Sequence, residues 1–412
     1  MVLTHILPLV PLLTTPLDSL PGELTDTGRA TTLALGERLR RLYVDQLKFM
    51  PATIQNTDNM YLRATPIPRA LESVQQAFYG MYPPTTRMPG FKTPTIITRQ
   101  PSEETLFPNE GGCRRFAQLS QAFAQRTSER WNDSSDLDYL NKLIGKWMPE
   151  ATPAVKVDGH PRLSGILDTM NSTRAHGKET KLPKEFYDSR GLQITDKICC
   201  EEWFSGYMES KEYRSLGIGA LMGDVTARMV ERARLHSNES SKKELHDVQF
   251  AMSGCHDTTL AACLASVGAF QSEPWPPYTS HIAFELFRRG ATVPPPASPE
   301  QKPSTSWWSS IFGAPKDILR PTTSLRTKIE ELSASEKQKF DGYYVRIRYN
   351  DRIMTVPGCK PANKHFADDE SLCTFEAFKE IVDKFTPKNW KQACSQNMGE
   401  DAFPKVIEPA GE

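Results

Sequence analysis

Apolar and polar positions along the chain follow two periods, and the change from one to the other is sharpest between Phe250 and Gly268. Val248 to Met252 is a short apolar run that predicts a buried strand, Ser253-Gly254 is a turn signal, and Leu260, Cys263, Leu264 and Val267 recur at helical spacing. His256 and Asp257 fall at the strand-to-helix corner. In an open α/β sheet that corner offers unpaired N–H groups and the positive end of a helix dipole to a ligand. Taken alone the stretch favours a plainer reading, with Asp257 as an N-cap and His256 as a satisfied core residue.

The same reasoning places the other elements. Thr25 caps a helix running to about Phe49, with Leu33, Leu39, Leu42 and Leu47 along one face. Asn59 to Thr65 is a strand, leading through Pro66 and Pro68 into a helix from Arg69 to Tyr79. Arg69 in that first turn opposes the helix dipole, which hints at a bound anion, although a solvated arginine is the commoner outcome. From about Pro84 to His246 the pattern is mostly helical, as in Ser135 to Met148 and Ile218 to Leu235. His281 to Phe287 reads as a strand, Tyr343 to Tyr349 and Ile353 to Val356 as a hairpin, and Thr374 to Phe385 as a helix with Phe375, Phe378, Val382 and Phe385 inward. Ala291 to Asp317 breaks composition with Pro and Ser and predicts a disordered loop, whose Trp307-Trp308 and Ile311-Phe312 are candidates for docking elsewhere.

Length and charge narrow the classes. The 412 residues suffice for one large α/β unit with a lobe. With 50 basic and 50 acidic side chains the net charge is +0, so nothing points to nucleic acid or an anionic membrane. The 8 cysteines lack Cys-x-x-Cys spacing, which argues against zinc. Cys359, Cys373 and Cys394 cluster late, a set from which one disulfide can be drawn, and Cys199-Cys200 reads as a helix interior. Met1 to Leu20 is apolar but carries Pro8, Pro11 and Pro16 with no basic residue before them, so it predicts neither a signal peptide nor a membrane helix.

Four stretches then resemble the histidine acid phosphatases, within the phosphoglycerate-mutase-like superfamily, and in particular the lysophosphatidic acid phosphatase type 6 branch. They are Gly22-Glu-Leu-Thr-Asp-Thr-Gly28 with Leu35 to Val44, Tyr61 to Ser73 ending in Gly80-Met-Tyr-Pro83, the His256-Asp257 stretch, and Trp275-Pro-Pro-Tyr278 through Phe287. The resemblance implies an α/β sheet core with helices on both faces, formed by residues 22–83 and 247–412, and a helical insertion over residues 84–246. It implies phosphomonoester hydrolysis through a phosphohistidine, without metal or cofactor. Arg69 would hold phosphate, His256 would be the second histidine on the phosphate, and Asp257 would donate the proton to the leaving oxygen. Lysophosphatidate or a similar monoester would be the substrate of a monomer, mitochondrial or cytoplasmic by resemblance only.

The family's nucleophile motif, Arg-His-Gly-x-Arg-x-Pro, has no counterpart here. His5 is followed by Ile6, Val10 to Pro16 contains no histidine, and Arg174-Ala-His-Gly177 lies in the insertion, on the wrong side of Arg69 in chain order. The N-terminal strand is therefore expected to be missing or altered, with residues 1–21 irregular. Either the sequence begins late, or the chain is a variant without its nucleophile. Two functions follow: a phosphomonoesterase that is weak or inactive as written, or a non-catalytic phosphate or lysophospholipid binder.

Overall fold

The computed structural model describes residues 4–5, 22–177, 182–237, 248–290 and 323–412. The predicted disordered loop at 291–317 and most of residues 1–21 lie outside them. The fold is mixed α/β, with two sheets among the described residues. In the first, the strand order is β1 (Thr4–His5), β3 (Ile96–Ile97), β2 (Met60–Ala64) and β4 (Phe250–Gly254). β2 and β4 are parallel and paired along their whole length, from Met60 opposite Phe250 to Ala64 opposite Gly254. Every residue of β2 is buried, as expected of a strand flanked and covered on both faces. β1 is an antiparallel edge on β3. Because β3 pairs with β2, the core sheet continues past residue 84, into the stretch expected to be helical lobe.

The second sheet runs β5 (Ile282–Arg288), β6 (Tyr343–Tyr349), β9 (Asp369–Thr374) and β8 (His365–Phe366), with β7 (Arg352–Met354) returning on β6 as the predicted hairpin. Tyr343, Val345, Ile347 and Tyr349 alternate inward, so the period of two seen in the sequence is the buried face of β6. Among the described residues β4 pairs only with β2 on one side, and β5 only with β6. Both line one cavity of about 1890 Å³, to which every residue from Val248 to Asp257 and from Ser280 to Phe287 contributes. Successive strand residues face opposite ways. A cavity that touches all of them must run along the unpaired edges.

Helix α1 (Asp26–Leu39) starts where predicted, with the Thr25 hydroxyl accepting from the Gly28 N–H at 3.2 Å. It stops earlier than expected, because Arg40–Gln46 winds as a π-helix that shifts the apolar register. Tyr43 and Val44 are thereby buried, and Leu47, assigned inward by spacing, is 51% exposed. α2 (Pro68–Met81) lies against α1 at backbone contact. A Cβ on Gly36 would sit 2.1 Å from the Ala77 carbonyl oxygen, and one on Gly80 2.2 Å from that of Leu33, so only glycine fits at this crossing.

Six helices follow: α3 (Arg114–Trp131), α4 (Ser135–Ile144), α5 (Leu163–His176), α6 (Ser189–Glu209), α7 (Lys211–Arg214) and α8 (Ala220–Ser237). A separate hydrophobic cluster gathers Trp131, Leu140, Leu163, Met170, Ile194 and Cys199. The stripe Ile218, Met222 and Met229 instead joins the main core with α9 (Asp257–Ser266) and α11 (Phe375–Asp383), which follows the short α10 (Ala334–Lys337). The inward set Phe375, Phe378, Val382 and Phe385 is buried as expected. One disulfide forms within the late cluster, Cys359 to Cys373, and a second joins Cys394, just after α12 (Trp390–Ala393), to Cys113 across a separation of 281 residues.

Candidate functional site

The site forms where β2 and β4 end side by side. The Thr65 N–H donates to the Gly254 carbonyl at 3.1 Å, closing the register, and each strand then turns into a helix. Ser253-Gly254 is not the turn that its residue types suggested: both residues belong to β4. Gly254 is there because a Cβ would meet the Ala70 carbonyl oxygen at 2.3 Å, so strand and α2 pack at backbone distance. Pro68 opens α2, placing Arg69 in its first turn, and His256 caps α9 with Asp257 as its first residue. Thus Asp257 is not the N-cap. Two helix N-termini and the ends of two parallel strands meet at one place, where anions are favoured.

Arg69, His256 and Asp257 all line the cavity. Arg69 is exposed, with a guanidinium N–H reaching the Gly22 carbonyl at 3.4 Å. His256 is held on three sides. Its Nε2 lies 3.1 Å from the Thr65 hydroxyl, its ring meets that of Phe107 edge-on at 5.9 Å, and its backbone N–H donates to the Thr259 hydroxyl oxygen at 3.2 Å. Burial and then the positive charge of Arg69 push its imidazole below the ordinary value, against the smaller pull of Asp257 and Glu104. Asp257 accepts twice: Oδ1 from the Thr258 N–H and Oδ2 from the Trp275 indole, each at 2.7 Å.

Below these residues lies a buried polar layer. Arg63, in the middle of β2, is 2% exposed and forms an ion pair with Glu104, which is 0% exposed. Arg63 also donates to the Thr105 hydroxyl at 3.1 Å, while Glu104 accepts the N–H groups of Thr105 at 2.7 Å and Leu106 at 2.6 Å. That turn presents the Leu106 carbonyl to the hydroxyl of Thr259, which in turn receives the His256 N–H. The ion pair therefore reaches His256 through three hydrogen bonds, by way of Leu106 and Thr259. Sequence reasoning missed Thr65, Glu104, Thr259 and Trp275 as parts of the site. A readable signal existed only for Arg63, a charge inside an otherwise apolar strand that needs a partner. Arg174 and His176, set aside on chain order, line the same cavity at the end of α5, with His176 Nδ1 3.3 Å from the Ser172 carbonyl.

Two half-buried histidines make stability depend on pH. His256 and His281 are both lowered from 6.5, chiefly by burial. The unfolded chain therefore takes up these protons first, and stability is full above 6.5 and declines as pH falls below it. Thermal midpoints are expected to drop between about pH 7 and pH 5. His256→Gln should make that decline shallower, and an unaltered slope would remove His256 from the account.

The profile of the histidine phosphatase superfamily (branch 2) matches residues 16–350. The chain belongs to that family. A probable acid phosphatase of Schizosaccharomyces pombe is 36% identical over 373 residues, which cover 90% of this chain and 76% of the relative. A lysophosphatidic acid phosphatase type 6 of Pongo abelii is 26% identical over 270 residues, covering 65% of this chain and 57% of that one. The apo form of Hafnia alvei phytase shares the fold, with a TM-score of 0.56 at 12% identity over 93% of this chain and 91% of the phytase. No helix among the described residues is long and apolar enough to cross a membrane.

Proposed function

We propose that Arg69 and His256 grip the phosphate of a monoester and that Asp257 stands ready to protonate its leaving oxygen. The reading rests on one observation: Arg69 and His256 line one cavity at the ends of two adjacent parallel strands, near enough for the arginine to depress the imidazole. A neutral His256 takes up a proton when a dianion arrives, and the resulting imidazolium adds a second cation to the clamp. The same cavity is walled by Leu35, Leu39, Val225, Met229, Phe284 and Leu286, which suits a monoester with an apolar body, such as lysophosphatidate. Hydrolysis in this family pattern also needs a histidine that attacks phosphorus, and no histidine of the chain stands in an Arg-His-Gly-x-Arg-x-Pro run. The second reading, a phosphate or lysophospholipid binder without turnover, takes its support from that fact.

Sulfate tests the clamp, because it keeps two charges across the range in which His256 titrates. Calorimetry is expected to find sulfate binding that tightens as pH falls through the His256 midpoint. Arg69→Ala should weaken it by about 10-fold, the usual cost of losing one hydrogen bond to a charged group. Equal affinity in the variant would place the anion elsewhere.

A further inference from the structure

We infer that Trp275 is a positioning residue for Asp257, and that through it the helices after β3 set the direction of this carboxylate. Trp275 lies outside the strand-to-helix corner, 18 residues further along the chain, yet its indole N–H donates to Asp257 Oδ2 at 2.7 Å. The Thr258 N–H holds the other oxygen at 2.7 Å. Two donors from different elements fix the plane of the carboxylate, where one would leave it free to turn about its Cβ–Cγ bond.

The indole is itself held. Its ring meets Trp203 edge-on at 6.0 Å and Phe204 at 5.0 Å, and the Trp275 backbone N–H donates to Asp196 Oδ1 at 3.0 Å. Asp196, Trp203 and Phe204 all lie on α6. Trp275 is also packed against both hydrophobic clusters, the main core and the one built around Trp131 and Ile194. A shift of α6 would therefore move the indole, and with it the carboxylate. The other titratable groups that sense the Asp257 charge are His256, Cys255 and Tyr278. None of the three is hydrogen-bonded to its oxygens among the described contacts.

An N–H aimed at a carboxylate oxygen favours the ionised form. If Asp257 gives up a proton to a leaving group, the indole stabilises the carboxylate that remains, a consequence that rests on the proton-donor role proposed above. The positioning itself does not depend on that role.

The experiment is NMR of the full chain with ¹³C-labelled aspartate, assigned with Asp257→Asn. Trp275→Phe keeps the aromatic packing and removes the donor. The Asp257 carboxylate ¹³C signal is expected to shift and broaden in that variant, as a carboxylate held by one donor turns about its Cβ–Cγ bond. A folded variant with an unchanged signal would overturn the inference. If the variant does not fold, Asp257→Asn decides: the Trp275 indole N–H signal should move relative to the unmodified chain, and indifference of that signal to Asp257 would equally overturn it. Sulfate titrations on the same samples separate the two readings. Absent sulfate binding with an intact indole response would remove the phosphate clamp and leave Trp275 as the residue that orients Asp257.

Discussion

Purified as a sequence-verified protein, the 412-residue chain is expected to hydrolyse lysophosphatidate with kcat below about 10⁻³ s⁻¹. Enzymes commonly turn over at about 10 s⁻¹, and removing catalytic groups that act as a unit costs on the order of 10⁴-fold or more. In the family reaction a histidine nitrogen bonds to phosphorus as the ester oxygen leaves with a proton, and water later breaks the phosphorus–nitrogen bond. On the reading proposed above, Arg69, His256 and Asp257 would serve charge and proton in that sequence. None of them is placed as the attacking atom: His256 sits beside Arg69 with Nε2 on the Thr65 hydroxyl. The measurement is release of inorganic phosphate at saturating substrate. A kcat above about 1 s⁻¹ would mean that another group attacks, and Arg174 and His176, on the same cavity, would then be the first to substitute.

Arg63→Met is expected to destabilise the fold by about 3–5 kcal/mol, because it strands the Glu104 carboxylate in the interior. The pair is among the most buried in the molecule, with Arg63 at 2% and Glu104 at 0% exposure. Burial lowers the Arg63 guanidinium, helped by its neighbour Arg99, and Glu104 is the foremost charge acting against that. Removing both charges is expected to hurt less than removing one, so Arg63→Met with Glu104→Gln should recover part of the loss. Chemical denaturation reads both. A single variant within about 1 kcal/mol of the parent would show that water reaches Glu104 and screens it. The same variant should loosen His256, since Glu104 fixes the turn whose Leu106 carbonyl accepts from Thr259.

What the sequence made legible was local. The alternation Tyr343 to Tyr349 is the buried face of β6, and the Thr25 cap and the inward face of α11 stand where their spacing put them. Order and spacing of short motifs named the family, and they brought Arg69, His256 and Asp257 to one cavity. What stayed hidden depends on the third dimension. Gly254 reads as a turn residue because nothing in the chain reveals that Ala70 lies across from it. Leu47 reads as core because a π-turn leaves no mark in a hydrophobic pattern. Cys394 finds Cys113 rather than its near neighbours because packing, not proximity in sequence, sets that distance. Trp275 looks like part of a proline-rich loop until α6 is seen beneath it.

β4 and β5 lie deep in the order of the chain, yet each turns one side to a cavity instead of to another strand. Among the described residues no strand answers the peptide groups on that side. Two strands that come late in the chain thus stand among these residues as rims do, and rims are where hydration, quick exchange of amide hydrogens and adhesiveness toward an extended peptide are expected.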